Sequence, residues 1–261
     1  MEATFRFYAD LNDFLPPDKR QRTLIVPFNE PVSVKHLIEA IGVPHPEVEL
    51  ILRHDQPVDF SALVQDGDRV AVYPLFHTWE WEARPALRPR LPDPLIFILD
   101  GHLGQLAAYL RMLGFDCLYR NNYDDPELAQ VSHDENRVLL TRDRRLLMRK
   151  QVIHGYCLRA SDPRQQLLEM MHRFALRPHI RPWQRCIRCN GDLIPIAKDA
   201  IADRLEPKTR LYYDEFQICQ SCQQIYWQGS HFRRMQPFIH EIVNGHGESE
   251  PGNGRFNDGH A

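Results

Sequence analysis

No apolar run in the 261-residue chain is longer than the five residues Leu95 to Leu99. A membrane-spanning helix needs roughly eighteen, so none is expected. The opening residues, MEATFRFYAD, carry acids and no extended apolar stretch, which predicts no secretory signal and a cytoplasmic location. Also missing are a G-x-G-x-x-G fingerprint, a P-loop, a nucleophile elbow and an H-E-x-x-H helix. Dinucleotide, nucleoside-triphosphate and zinc-protease chemistry therefore have no motif behind them. Nor is there a large net charge: the balance is −3, which by itself predicts no polyanionic partner.

What is present is an ordinary globular composition, 43% hydrophobic and 26% charged, in a chain long enough for two or three domains. The charge is unevenly spread. Residues 1–80 hold 7 basic and 13 acidic side chains, whereas residues 137–188 hold 13 basic and 3 acidic. So lopsided a stretch is either a solvated arginine-rich face or a footprint for a phosphate backbone. Of the six cysteines, Cys117 and Cys157 sit alone in apolar surroundings, as core residues do. The other four form two C-x-x-C pairs, which in a reducing compartment read as metal ligands.

Residues 1–78 alternate short strands with one helix. ATFRFYA and TLIVPF read as strands. Ser33 reads as an N-cap for a helix through Val34, Leu37, Ile38 and Ile41, which Gly42 ends. VELILRH and DRVAVYPLF complete a small α+β unit, the last entered through an Asp66-Gly67-Asp68 turn. Residues 79–94, WEWEARPALRPRLPDP, have the composition of a stiff linker. From 95 to 180 the pattern becomes strand–helix repeats: LIFIL, FDCLY, RVLLT and GYCLR are strands, separated by helices. That predicts an α/β parallel sheet. Residues 181–236 are organised around four cysteines, and 237–261 have a polar, glycine-rich composition expected to be disordered.

Chemistry concentrates where the strands end. Asp100 directly follows LIFIL, Asp143 comes two residues after RVLLT, and Asp124 and Asp125 lie in the loop after FDCLY. All reach the carboxyl edge of one sheet, where open α/β sheets bind ligands. Converging carboxylates suit Mg²⁺ or Mn²⁺, which activates water and clamps a phosphodiester. Helix capping is the plain alternative for Asp125, placed before Pro126, and for Asp143. His102, Arg142, Arg144 and Arg145 are candidate substrate-binding groups beside them, with a solvated face as their plain role.

Cys186-Ile-Arg-Cys189-Asn-Gly191 is a knuckle whose glycine is expected to let the backbone turn under a metal. Cys219-Gln-Ser-Cys222 completes a tetrahedral Cys₄ zinc site. Four thiolates leave no open position, so this zinc is structural. The intervening residues predict an insertion, with a helix around 198–205. Tyr226-Trp227 and His231, Phe232, Arg233 and Arg234 mix aromatic and basic groups, suited to single-stranded RNA or to covering a small core.

FILDGHLGQLAAYLRMLGFDCLY, NNYDDPELAQ, NRVLLTRDRRLL, CIRCNG and CQSCQQIYWQGSHFRRM occur in this order. Together they resemble the Mut-seven C-terminal RNase family, which is PIN-like and ends in a zinc ribbon. The N-terminal region, ending DFSALVQDGDRVAVYPLF, resembles the ubiquitin-like β-grasp domain fused in front of it. The resemblance implies a metal-dependent ribonuclease in which Asp100, Asp125 (or its neighbour Asp124) and Asp143 bind the metal. Asp162 is a possible substitute for the fourth acid such nucleases usually present. The β-grasp segment runs through Tyr73-Pro74-Leu75-Phe76 into the linker and offers no free Gly-Gly end, so it is expected to dock a protein partner rather than to be conjugated. The competing readings are a non-catalytic RNA-binding protein and a β-grasp-led adaptor.

Overall fold

The computed structural model describes residues 1–75 and 86–229, together with 237, 239 and 242. Residues 79–85 of the linker, the tail apart from 237, 239 and 242, and His231, Phe232, Arg233 and Arg234 lie outside the described residues. Among the described residues no helix is long and apolar enough to cross a membrane. The chain divides into two compact units, Met1–Arg111 with Phe115–Glu169, and Met112–Gly114 with Met170–Ala261.

The first unit opens with β1 (Glu2–Phe7), a 3₁₀ segment (Ala9–Phe14), β2 (Thr23–Pro27) and α1 (Val34–Ile41). Helix α1 starts and stops as its sequence dictates. The Ser33 hydroxyl accepts the His36 amide, and Gly42 adopts φ +110. After a short 3₁₀ turn (His45–Glu47) come β3 (Leu50–Arg53), β4 (Gln56–Val58) and β5 (Arg69–Tyr73). The strands order as β2-β1-β5-β3-β4, with β1 and β5 parallel and the other pairs antiparallel. This is the β-grasp arrangement. Strand β4 escapes a sequence reading because its hairpin turns on His54 and Asp55, at φ 49 and 65, rather than on the usual Asn-Gly.

The α/β region follows: β6 (Ile96–Leu99), α2 (Gly104–Met112), β7 (Asp116–Tyr119), α3 (Asp125–Asp134), β8 (Val138–Thr141), α4 (Arg144–Leu147), β9 (Gly155–Cys157) and α5 (Pro163–Arg173). Its four strands are all parallel, in the order β7-β6-β8-β9. Every residue of β8 is buried, which accounts for its unbroken apolar run. The amino end of this sheet is closed by a buried guanidinium. Arg137 donates to Asp116 at 2.6 Å, to Glu135 at 2.7 Å and to the Phe97 carbonyl at 3.2 Å.

One buried cluster joins Phe5, Phe7, Leu11 and Ile38 with Ile98, Leu128, Leu139 and Leu147, so the β-grasp and α/β layers share a core. Glu47 is the polar rivet between them. Fully buried, it accepts the Cys157 amide at 2.6 Å and pairs with Arg159 at 3.1 Å. His45 adds a contact of 2.8 Å between Nε2 and the Val152 carbonyl oxygen. Burial, then the Glu47 charge, pushes the Cys157 thiol up to about 11. Burial pushes Cys117 up to about 12. Both are inert core thiols.

The second unit contains β10 (Leu193–Ile196), a 3₁₀ segment (Lys198–Arg204), α6 (Pro207–Tyr212), β11 (Phe216–Cys219) and β12 (Ile225–Trp227). The three strands form an antiparallel sheet in chain order. Ile201, Phe216, Ile218 and Ile225 are its small core. The helix expected around 198–205 forms, but as 3₁₀ turns.

Replacing Glu47 with Ala strands Arg159 and the Cys157 amide, and is expected to cost about 3–5 kcal/mol in urea unfolding. His154 is buried, and burial, then the Arg88 charge, pulls its pKa down to about 4. The unfolded chain takes up that proton near pH 6.5, so stability falls as pH drops through the window from 6.5 to 4. The loss at pH 5 is expected to be about 2 kcal/mol, absent in His154→Leu when denaturant midpoints at pH 7 and pH 5 are compared.

Candidate active site and candidate metal centre

In the sheet order β7-β6-β8-β9 the chain leaves β6 for β7 on one side, then returns to place β8 on the other. The switch point therefore lies between the carboxyl ends of β6 and β8, the position that binds ligands in open α/β sheets. Asp100 ends β6 and Asp143 follows β8, so both stand there.

A residue the sequence reading passed over ties them together. The Thr141 hydroxyl, on a fully buried side chain, donates to Asp100 Oδ2 at 2.7 Å and accepts the Asp143 amide at 2.9 Å. The Asp100 amide reaches across to the Leu140 carbonyl at 3.0 Å. Asp143 Oδ1 caps α4 by accepting the Arg145 amide at 2.7 Å. Each carboxylate thus keeps one oxygen, Asp100 Oδ1 and Asp143 Oδ2, without a partner among the described residues. The loop after Asp100 is braced by Tyr119, whose hydroxyl donates to the Gly101 carbonyl at 2.9 Å. A Cβ on Gly104 would lie 2.6 Å from that hydroxyl oxygen, so a side chain there would displace the Tyr119 ring from its bond to Gly101.

The other candidates are placed differently. The N-cap of α3 is Asp124, not Asp125: its side chain accepts the Glu127 amide at 2.8 Å. Asp125 is the first helical residue and lies 3.7 Å from Arg149. The reason is Pro126, which is accommodated at the second position as readily as the first because both amides lack helical partners. Asp162 is spent capping α5 through the amides of Arg164 and Gln165, each at 3.0 Å. His102, Arg142 and Arg145 are exposed. Arg144 is engaged by the β-grasp layer: it donates to the Phe14 carbonyl at 2.8 Å and stands 5.0 Å over the Phe14 ring. Arg159 stands 4.6 Å over the same ring. The segment that presents Phe14 is itself pinned by Asn12, which bonds the Phe7 carbonyl and the Gln21 amide.

The four cysteine sulfurs lie within 4.8 Å of one another. Separations of 3.6 Å for Cys186–Cys222 and 3.4 Å for Cys189–Cys219 approach the about 3.8 Å edge of a tetrahedron with zinc–sulfur bonds of about 2.3 Å. The donor set and spacing fit zinc. Among the described residues no other set of three Cys, His, Asp or Glu side chains is gathered this tightly. Within the group, against the desolvation of burial, the Cys222 amide and the neighbouring thiol of Cys189 bring Cys219 down to about 7, whereas desolvation pushes Cys189 up to about 12 and raises Cys222. The knuckle turns on Asn190, at φ 70, and its counterpart on Gln223, at φ 59. Gly191 is needed for space instead: a Cβ there would sit 2.5 Å from Ser221 Oγ and 2.9 Å from Cys219 Sγ.

Residues 96–239 match the family model of the Mut7-C RNAse domain, and residues 1–80 that of the Mut7-C ubiquitin domain. No curated protein matches the chain. The crystal structure of SAMP1 from Haloferax volcanii is 17% identical over 30% of this chain and 100% of its own, with a TM-score of 0.24. A crystal structure of H. volcanii small archaeal modifier protein 1 is 17% identical over 28% of this chain and 95% of its own, with a TM-score of 0.23. With the RNase model covering more than half of its length, the chain belongs to the Mut7-C RNase domain family and carries the Mut7-C ubiquitin-like domain in front.

Proposed function

We propose that the protein is a metal-dependent ribonuclease that hydrolyses single-stranded RNA at the carboxyl edge of its parallel sheet. The observation that carries this reading is the Asp100–Thr141–Asp143 chain at the switch point, with one free oxygen on each carboxylate. Mg²⁺ commonly takes only one or two carboxylates and fills its remaining positions with water and substrate phosphate, so this pair suffices as its protein anchor. When bound, Mg²⁺ or Mn²⁺ lowers the pKa of a coordinated water and offsets charge on the scissile phosphate. Thr141 holds the two carboxylates in register. Arg142 and Arg145, with His102 across the edge, neutralise the RNA backbone. Asp125, or Asp124 beside it, supplies further negative charge at the same edge.

Zinc in the four-cysteine group is structural, and the β-grasp layer serves as a docking surface for a protein partner. The setting that goes with this reading is the cytoplasm, where a reducing environment leaves paired C-x-x-C cysteines to metals.

Purified wild type is expected to cut end-labelled single-stranded RNA with Mg²⁺ or Mn²⁺ and not with EDTA. Asp100→Asn should cut about 100-fold more slowly or worse while retaining RNA in a shift assay and its zinc. Equal cutting by the two proteins would overturn the assignment. No cutting by either, with RNA still retained, would favour a binding protein. Cys219→Ser is expected to lose bound zinc and the folded β10–β12 sheet together, read by metal analysis and circular dichroism, because metal-binding energy in so small a core is folding energy.

A further inference from the structure

The second unit holds a cleft of about 450 Å³, the size of a small-ligand site. Along it runs a row of cross-strand neighbours, Pro195 on β10, Gln217 on β11 and Tyr226 on β12. Trp183 adds aromatic wall, while Trp227, which also lines the cleft, packs on the small core. The row is out of phase with Ile194, Ile218 and Ile225, so it lies on the sheet face away from the small core. The Tyr226 hydroxyl is 3.1 Å from Cys186 Sγ, which fixes its ring to the metal-binding group. Trp183 has φ 69, a left-handed conformation that a bulky residue keeps only where its surroundings impose it.

The charged groups of the cleft are the carboxylates Asp214 and Glu215, and Gln217 and Gln228 bring amides that both donate and accept. No Lys or Arg lines it among the described residues. Asp214 is neutralised by Lys198 at 2.7 Å, and Glu215 is exposed at the rim. Gln217 Oε1 is shut off from solvent without a hydrogen-bond partner among the described residues. Its terminal torsion is broad and two-fold, so the amide can turn to offer that oxygen to a ligand donor. Flat aromatic walls with a carboxylate and an amide oxygen suit a planar ligand that presents N–H donors. Arg177, Arg181, Arg185 and Arg188 occur in the chain around Trp183. Arg185 is paired with Asp192 at 3.0 Å and Arg181 is held by neutral carbonyls. The positive balance that remains favours a polyanion over a cationic side chain as the carrier of that ligand.

We propose that this cleft takes one base of a single-stranded RNA and selects guanine, whose N1–H and N2–H₂ donate together to the Glu215 carboxylate while Gln217 accepts at the floor. Uracil and adenine cannot present that pair of donors, and stacking on Trp183 or Tyr226 supplies affinity without selecting among bases. The inference rests on the RNA-binding part of the function proposed above, and not on cleavage.

The test titrates the full-length, zinc-loaded protein with GMP, AMP, CMP and UMP, read by tryptophan fluorescence and equilibrium dialysis. The phosphate is common to all four, so differences report the base. GMP is expected to bind roughly tenfold more tightly than UMP or AMP. Glu215→Ala, at an exposed position, should erase that preference with zinc content unchanged. Gln217→Leu should weaken GMP alone. Four nucleotides within twofold of one another, or a preference intact in both variants, would overturn the proposal. So would Glu215-dependent binding of N-acetyl-argininamide without GMP binding, which would make the cleft a peptide site. Asp100→Asn should keep the GMP preference. Cleavage lost in that variant with no base preference in any protein sinks the cleft alone, and cleavage undiminished with the preference intact sinks only the nuclease.

Discussion

A strand buried on both faces has no room for a charged side chain along its length, because an unpaired carboxylate there would forfeit its hydration. In β6 and β8 that constraint drives every polar group to the strand ends. The two ends are then treated in opposite ways. At the amino end Arg137 is enclosed with Asp116, Glu135 and the Phe97 carbonyl, so its charge is spent on holding the sheet. At the carboxyl end Asp100 and Asp143 share the Thr141 hydroxyl and keep an oxygen each. The sheet order that places the switch point between β6 and β8 makes that end the candidate place for chemistry.

The β-grasp layer is part of this arrangement rather than an appendage. Its Glu47 is fully buried against β9, and its Phe14 receives Arg144 and Arg159. Arg142 and Arg144 flank Asp143, and of these two guanidiniums that of Arg144 is held by a carbonyl of the N-terminal region. Arg142 and Arg145 are the arginines of this loop that the N-terminal region does not hold. A charged group held by neutral carbonyls and an aromatic face keeps its charge, and its field still acts on the edge beside it.

The second unit pairs a small core with a four-cysteine group that fits zinc. Four buried apolar residues provide little burial for three short strands, and a metal held by the four thiolates would supply what the core lacks. The cost is a crowded knuckle in which Gly191 has no room for a side chain. In return the Cys186–Tyr226 contact passes the rigidity of the metal group to the aromatic face of the sheet.

Much of this was written in local pattern. The LIFIL run, the Ser33 cap with its Gly42 stop, the two C-x-x-C pairs and the strand–helix alternation each follow from period, capping or ligand spacing within a few residues. So did the placing of Asp100 and Asp143 at a sheet edge. The tertiary structure decided which groups meet across long separations. The Thr141 link spans 41 residues and the Glu47–Cys157 bond 110, and neither leaves a periodic trace. It also decided that Asp124 rather than Asp125 caps α3, that Asn190 rather than Gly191 turns the knuckle, and that Phe14 captures Arg144. Local sequence fixes what an element is because its hydrogen bonds and side-chain period close within it. Which of several chemically equal carboxylates or arginines stays free is settled only when packing brings distant surfaces together and some of them find partners.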